Sequence, residues 1–151
     1  MERGKFISLI YGVLNTATME FTYSQAGHNP ILIRKNNGTT EALEGKGLAL
    51  GLNNGQVFNQ VTSNYSIRLE PGDALILYTD GVTEAVNLSG EEFDMKGLLT
   101  SVKRPEVDAL SLLQGIITDV QKFIGKAKQH DDITIVVIKN NNGVGVQGQL
   151  G

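Results

Sequence analysis

The 151-residue chain contains no cysteine. That excludes disulfides, thiolate zinc sites and cysteine nucleophiles, and it suits a cytoplasmic protein. Proline is scarce, three residues against eighteen glycines. This balance predicts many tight turns, as in a hairpin-rich sheet. No apolar run approaches the roughly 18 residues of a membrane span. The opening MERGKFISLIYG also lacks the long apolar region and small-residue cleavage site of a signal peptide. Positive charge is not in excess: a formal net charge of −3 gives no reason to expect nucleic acid or an anionic membrane as a partner. Two sequence signatures are missing as well. GKGLALG has glycines without Walker-loop spacing, and no G-x-S-x-G elbow occurs, so nucleotide binding and serine nucleophile chemistry are poorly supported.

What is present is an ordinary globular composition, 40% hydrophobic and 19% charged, in a chain of one-domain size. Phe6 to Leu14 reads as a strand with Gly12 a candidate bulge, and Met19 to Ser24 as its return after a turn at Asn15–Thr18. Ile31 to Arg34 and Thr39 to Leu43 flank Asn36-Asn37-Gly38, a tight primed hairpin turn by composition. A surface loop is expected over Gly45 to Gly55, then a strand over Phe58 to Leu69. Glu70-Pro71-Gly72-Asp73 is a turn that launches Ala74 to Thr79, apolar enough for a central strand. A helix is predicted over Phe93 to Val102, and another begins near Pro105 and stops at Gly125. Its apolar stripe is Val107, Leu110, Leu113, Ile117, Val120 and Ile124. Ile133 to Ile138 reads as a last central strand, and residues 140–151 as a disordered tail after a domain over residues 1–139. The order predicts an α+β fold, with helices on one face of an antiparallel sheet.

Two aspartates stand out. Asp80 follows the apolar strand LILYT, and Asp131 precedes ITIVVI. Taken alone, each has a plain structural reading, since Asp-Gly makes turns and adjacent acids occur in solvated loops. Brought side by side in a sheet, two such strand ends would make a hard-cation site with oxygen ligands. Asp131 and Asp132 are adjacent and repel unless something positive lies nearby, which a bound cation would supply. Glu84 shares a turn with Asp80; it reads as a supporting group or as a cap for the following segment. His28 in AGHN is open between a structural and a chemical role, since its spacing to His130 resembles no zinc pair.

Five blocks then occur in order: YSQAGHNPILI (Tyr23 to Ile33), LALGL (Leu48 to Leu52), LEPGDALILYTDGVTEAVN (Leu69 to Asn87), GEEF (Gly90 to Phe93) and HDDITIVVI (His130 to Ile138). Together they resemble the PPM superfamily of metal-dependent protein phosphatases, in the bacterial branch typified by stage II sporulation protein E and stress-response sigma-factor regulators. The resemblance runs from about Phe6 to Ile138. It implies two stacked antiparallel sheets flanked by helices, in an enzyme that hydrolyses phosphoserine or phosphothreonine in proteins with two Mn²⁺ or Mg²⁺ ions. It further implies that Asp80, in TDG with Gly81, and Asp131 are metal ligands, and that Asp132 supports them. His28 and Asn29 match the AGHN block without an assigned chemistry. The implied substrate is a phosphorylated anti-sigma-factor antagonist.

The family pattern also has an earlier Gly-Asp-x-x-Asp segment whose acid bridges both metals. Nothing like it precedes Phe6, so the chain resembles the C-terminal part of the domain, with the N-terminal part of the fold missing. Open strand edges and bare apolar surface are therefore expected, and with them self-association. Against a phosphatase fragment stands a non-catalytic, phosphatase-like binding or regulatory module. A calcium-binding structural domain is weaker, for no contiguous acidic loop is present.

Overall fold

The computed structural model describes residues 5–43, 45–52, 55–104 and 108–142. Its elements run β1 (Leu9–Asn15), β2 (Glu20–Ala26), β3 (Leu32–Arg34), β4 (Thr40–Ala42), α1 (Gly55–Val61), β5 (Asn64–Arg68), β6 (Ala74–Tyr78), α2 (Asp80–Thr83), α3 (Asp94–Val102), α4 (Ala109–Ile124) and β7 (Ile135–Lys139). The strands form two antiparallel sheets, ordered β1-β2-β5 and β4-β3-β6-β7. This is the α+β class that the element order predicts, in the two-sheet arrangement with flanking helices that the family resemblance implies.

Strand alternation divides the core in two. Phe21 and Tyr23 of β2 meet Ile31, Ile33 and Leu75 between the sheets, with Leu69 beside them. Phe21, Tyr23 and Tyr65 stack in a row, successive ring centroids 5.6 Å apart. Leu32, Ala74, Ile76 and Tyr78 point the other way, onto Leu98, Val102, Leu112, Ile116 and Val120 of α3 and α4. The strand β6 is therefore buried on both faces, as its apolar sequence predicts. Burial pushes the Tyr78 hydroxyl up to about 12, and it donates to Met95 Sδ at 3.7 Å.

Glycines and turns explain several local choices. Gly12 does not mark a bulge: β1 pairs through it without interruption, and a Cβ there would collide with the Phe21 ring. The β3–β4 loop closes between Lys35 and Thr39. Only Gly38 in it has a positive φ, 86°, so it is not the tight primed turn expected, which needs positive φ at its central positions. At the far end of β6, the buried Asp73 carboxylate accepts from Asn36 N at 2.9 Å and Glu70 N at 3.2 Å, and pairs with Lys35 Nζ at 3.1 Å. Helix α4 starts at Asp108, whose side chain accepts from Ser111 N at 2.7 Å. That backbone bond, followed by the Ser111 hydroxyl, holds the Asp108 carboxyl below its ordinary value. Gly125 ends the helix with a φ of 57°.

Further expectations need correction. Phe58 to Val61 is helical, within α1, and the strand starts only at Asn64. Val57, Phe58 and Val61 have the spacing of one helical face. The strand β7 lies at a sheet edge among the described residues, with Val136 exposed. Asn140 is not part of a free tail: it is buried, donates to Leu69 O at 2.7 Å and pairs through its backbone with Gly72 and Asp73. Residues 143–151 lie outside the described residues.

The buried stripe of α4 is Leu112, Gly115, Ile116, Val120 and Ile124, while Leu110 is 62% exposed. Pro105 and Val107 lie outside the described residues. Urea denaturation checks this assignment: Ile116→Ala should cost about 2–5 kcal/mol, and Leu110→Ala should stay within about 0.5 kcal/mol of wild type.

Candidate metal centre

Three strand ends meet at one end of the sandwich. The pair β3–β6 runs antiparallel with Leu32 opposite Ile76. Continuing that register beyond the strands sets His28 opposite Asp80. On the other side of β6, Tyr78 lies opposite Ile135, which brings the Asp131-Asp132 segment beside the turn after Thr79. The AGHN, TDG and HDD blocks thus come together because one strand is paired on both sides.

Each turn is fixed by its own contacts. The AGHN segment carries the chain from β2 in one sheet to β3 in the other. Gly27 takes a φ of 63°, and a Cβ on it would strike Ala49. Gln25, buried, donates through its side chain to His28 O, and His28 Nδ1–H donates to Asn29 O at 3.2 Å. The TDG turn is pinned from below. Val82 and Ala85 enter the helix-side core, whereas Asp80 remains exposed. Asp80 Oδ1 accepts from Gly81 N at 3.0 Å, and Glu84 N donates to Asp80 O at 2.8 Å. In the HDD segment, Asp131 Oδ1 accepts from Asp132 N at 2.7 Å, and Gln129 Nε2 donates to Asp131 O at 2.8 Å.

The two acidic segments are in direct contact. Gly81 is buried against the backbone of Asp132, and a Cβ on Gly81 would collide with the Asp132 carbonyl oxygen. Thr79 Oγ1 donates to Asp132 O at 3.1 Å and accepts from Thr134 N at 3.0 Å. Ser8, Gly27, His28, Asn29, Thr79 and Asp80 line a polar cavity of about 70 Å³. A water needs roughly 10–15 Å³ of such space, so the cavity admits a few waters or a hydrated cation.

His28 and Asn29 thus share a cavity with Asp80, and the Asp131-Asp132 segment meets the Asp80 turn through Gly81 and Thr79, though neither Asp131 nor Asp132 lines that cavity. Glu84 is exposed one turn along, its backbone closing α2. Among the described residues no group of three or more His, Asp or Glu side chains is placed to hold a metal ion. The donor chemistry, carboxylates open to solvent, suits a hard divalent cation, and two carboxylates are fewer than such an ion takes. Sequence reasoning missed Gln25, Ser8 and Thr79. Of these, only Thr79 had a signal, its place within LYTDG. A larger groove of about 610 Å³ between α3 and α4, lined by Phe93, Lys96, Arg104 and Asp119 among others, shares no residue with this site. Its Asp119 accepts from Ser101 Oγ and pairs with Arg104, which ties helix to helix.

Comparison with known proteins then decides the family. The profile described as stage II sporulation protein E (SpoIIE) matches residues 1–141. The chain belongs to the SpoIIE family. It is similar to the phosphoserine phosphatase RsbU of Bacillus subtilis, 30% identical over 145 residues, covering 92% of this chain and 40% of RsbU. It is also similar to protein IcfG of Synechocystis sp., 29% identical over 136 residues, covering 90% of this chain and 21% of IcfG. Among solved structures, the PP2C phosphatase domain of SpoIIE from Bacillus subtilis, with a fragment of its regulatory domain, superposes with a TM-score of 0.70 at 19% identity, over 90% of this chain and 39% of that one. That likeness confirms the fold. The chain spans less than half the length of these curated relatives. No helix among the described residues is long and apolar enough to cross a membrane.

Gly81→Ala tests the contact between the acidic segments. Overpacking there should destabilise the protein by about 1–3 kcal/mol in urea and shift the backbone amide resonances of residues 131–134.

Proposed function

We propose that this SpoIIE-family chain carries the Asp80 and Asp131 side of a two-metal centre in a protein serine/threonine phosphatase. The supporting observation is the convergence of the TDG and HDD segments, with Gly81 seated against Asp132. Asp80 and Asp131 would hold Mn²⁺ or Mg²⁺, with Asp132 supporting. Ions so bound activate water at neutral pH and neutralise charge on a phosphoryl group during in-line attack. The part played by this chain's residues is placement. Val82 and Ala85 anchor the Asp80 turn, and Asp131 projects from the adjoining segment, so both carboxylates face solvent where a phosphorylated protein loop can reach. His28 and Asn29 border one cavity with Asp80 and would contact a water or substrate oxygen there. The substrate class is a phosphoserine- or phosphothreonine-bearing regulator, an anti-sigma-factor antagonist in a partner-switching pathway. RsbU, by its name a phosphoserine phosphatase, supports this reading, as do the RsbU and RsbW domains of a Mycobacterium tuberculosis protein that shares the fold at a TM-score of 0.63.

The second reading, a phosphatase-like binding module, is favoured by the absence of a three-ligand group among the described residues. Mn²⁺ titration by calorimetry and Mn²⁺-stimulated aryl-phosphate hydrolysis separate the two. The expected result is one weak Mn²⁺ site that is lost in both Asp80→Ala and Asp131→Ala, with slow turnover at most. Binding that survives both substitutions would falsify the metal-centre reading and favour the module. Fast turnover that either variant abolishes would show that the centre is already complete in these residues.

We also propose self-association through β1. Its outer-face residues Leu9, Tyr11 and Val13 are 44%, 67% and 53% exposed, on a strand that pairs on one side only among the described residues. Light scattering at tens of micromolar, a range chosen as roughly where exposed strand edges associate, should give more than the monomer mass. A clean monomer would count against the idea.

A further inference from the structure

We infer that Thr79 is a positioning residue for the metal centre: its hydroxyl clasps the Asp131-Asp132 segment to the Asp80 turn and so sets the relation between the two ligand carboxylates. The inference rests on the metal-centre reading above. The β6–β7 ladder ends at Tyr78 opposite Ile135. One residue further, Thr79 makes three hydrogen bonds onto the facing segment. Its N–H donates to Thr134 O at 3.1 Å, its Oγ1 accepts from Thr134 N at 3.0 Å, and the hydroxyl proton goes to Asp132 O at 3.1 Å. Both polar functions of one hydroxyl are thus engaged across the gap between the acidic segments.

The placement runs against local preference. Thr79 is the N-cap of α2, where a threonine hydroxyl ordinarily accepts from a backbone N–H of its own helix. It makes no such bond; the hydroxyl faces the other segment instead. That segment has little else to hold it. Asp131, Asp132 and Thr134 are exposed, and Ile133 is only partly buried against the helix-side core. Gly81, next but one along the chain, completes the join by letting the Asp132 carbonyl approach where a side chain would exclude it. Asp80 lies between these two fixed points, bonded in sequence to both. Serine keeps the donor and the acceptor of this clasp, whereas valine keeps the branched shape and loses both, so the two substitutions separate hydrogen bonding from packing.

The bland alternative is that the hydroxyl satisfies two backbone groups at the end of a sheet and has no bearing on the carboxylates. Two readouts decide between them. The first is amide hydrogen exchange at Thr134 in metal-free protein, followed by NMR. The second is Mn²⁺ affinity by calorimetry, with the thermal midpoint recorded for every variant. Thr79→Val should speed exchange at Thr134 and weaken Mn²⁺ binding by about 10- to 100-fold, the range seen when groups that orient metal ligands are removed. Thr79→Ser should restore both. Thr79→Ala, which places no branched carbon beside the released Thr134 N–H, is measured alongside and carries the same expectation as valine. Unchanged Mn²⁺ affinity in the valine and alanine variants, with binding still lost in Asp80→Ala, overturns the positioning role and leaves the metal centre standing. Mn²⁺ binding that persists in Asp80→Ala removes the metal-centre reading itself, and the positioning role falls with it.

Discussion

The structure depends on the pairing of β6 along both of its edges. A short apolar strand between two antiparallel neighbours has its register fixed twice, by Leu32 opposite Ile76 and by Tyr78 opposite Ile135. A slip of one residue on either side would turn Ile76 away from the helices and Leu75 away from the facing sheet, moving both fully buried side chains into the wrong layer. Because that cost is high, the chain leaving β6, the chain entering β3 and the chain entering β7 all arrive at the same end of the sandwich. The candidate site follows from burial, and its residues lie where burial ends.

The strand carries a carboxylate near each end, and their surroundings differ in kind. Asp73 is buried and fully engaged by Lys35 and two backbone N–H groups. Removing that carboxylate would leave Lys35 and two backbone donors without their acceptor, so its role is structural. Asp80 is exposed, its carboxylate bonded only to the neighbouring Gly81 N among the described residues, and its turn is anchored in the core by Val82. A group that the fold holds in place, yet does not require for packing, is free to serve a ligand. Asp131 is likewise exposed, and its segment is joined to the Asp80 turn through Thr79 and Gly81. Rigid support beneath a solvated carboxylate is what a metal ligand needs for a defined geometry before the ion arrives.

Much of this was legible in the sequence because it is written in strong local signals. Five-residue apolar strands, the EPGD turn and the acids at LYTDG and HDDIT all state position and exposure directly. The failures arise where one pattern fits two surroundings. In ALSLLQGIITDVQKFI, apolar residues are so frequent that spacings of three and four trace more than one stripe. Leu110 and Leu113 fit one of them as well as Leu112 and Ile116 fit the other, and only the position of the sheet selects the buried face. ITIVVI reads as central because β-branched residues recur without alternation, but a strand at an edge can be as apolar when helices cover one face. Asn140 looked like the first residue of a polar tail. Its burial comes from Leu69 and Asp73, which lie about 70 residues away in sequence, and no local window contains that information.

The site shows the same division at finer scale. Its acids were visible from sequence, and the groups that orient them were not, because orientation is a relation between segments. Thr79 and Asp132 are separated by 53 positions, and the hydroxyl that joins them is indistinguishable, in sequence, from one that caps its own helix. Shared motifs transfer the identity of the acids, since TDG and DDIT carry them as letters. They do not transfer the relation between the acids, which rests on a hydroxyl, an absent side chain at Gly81 and a register. On the positioning proposal, a chain that kept both aspartates would still lose this arrangement on changing Thr79 or Gly81, because the two acidic segments touch through those residues.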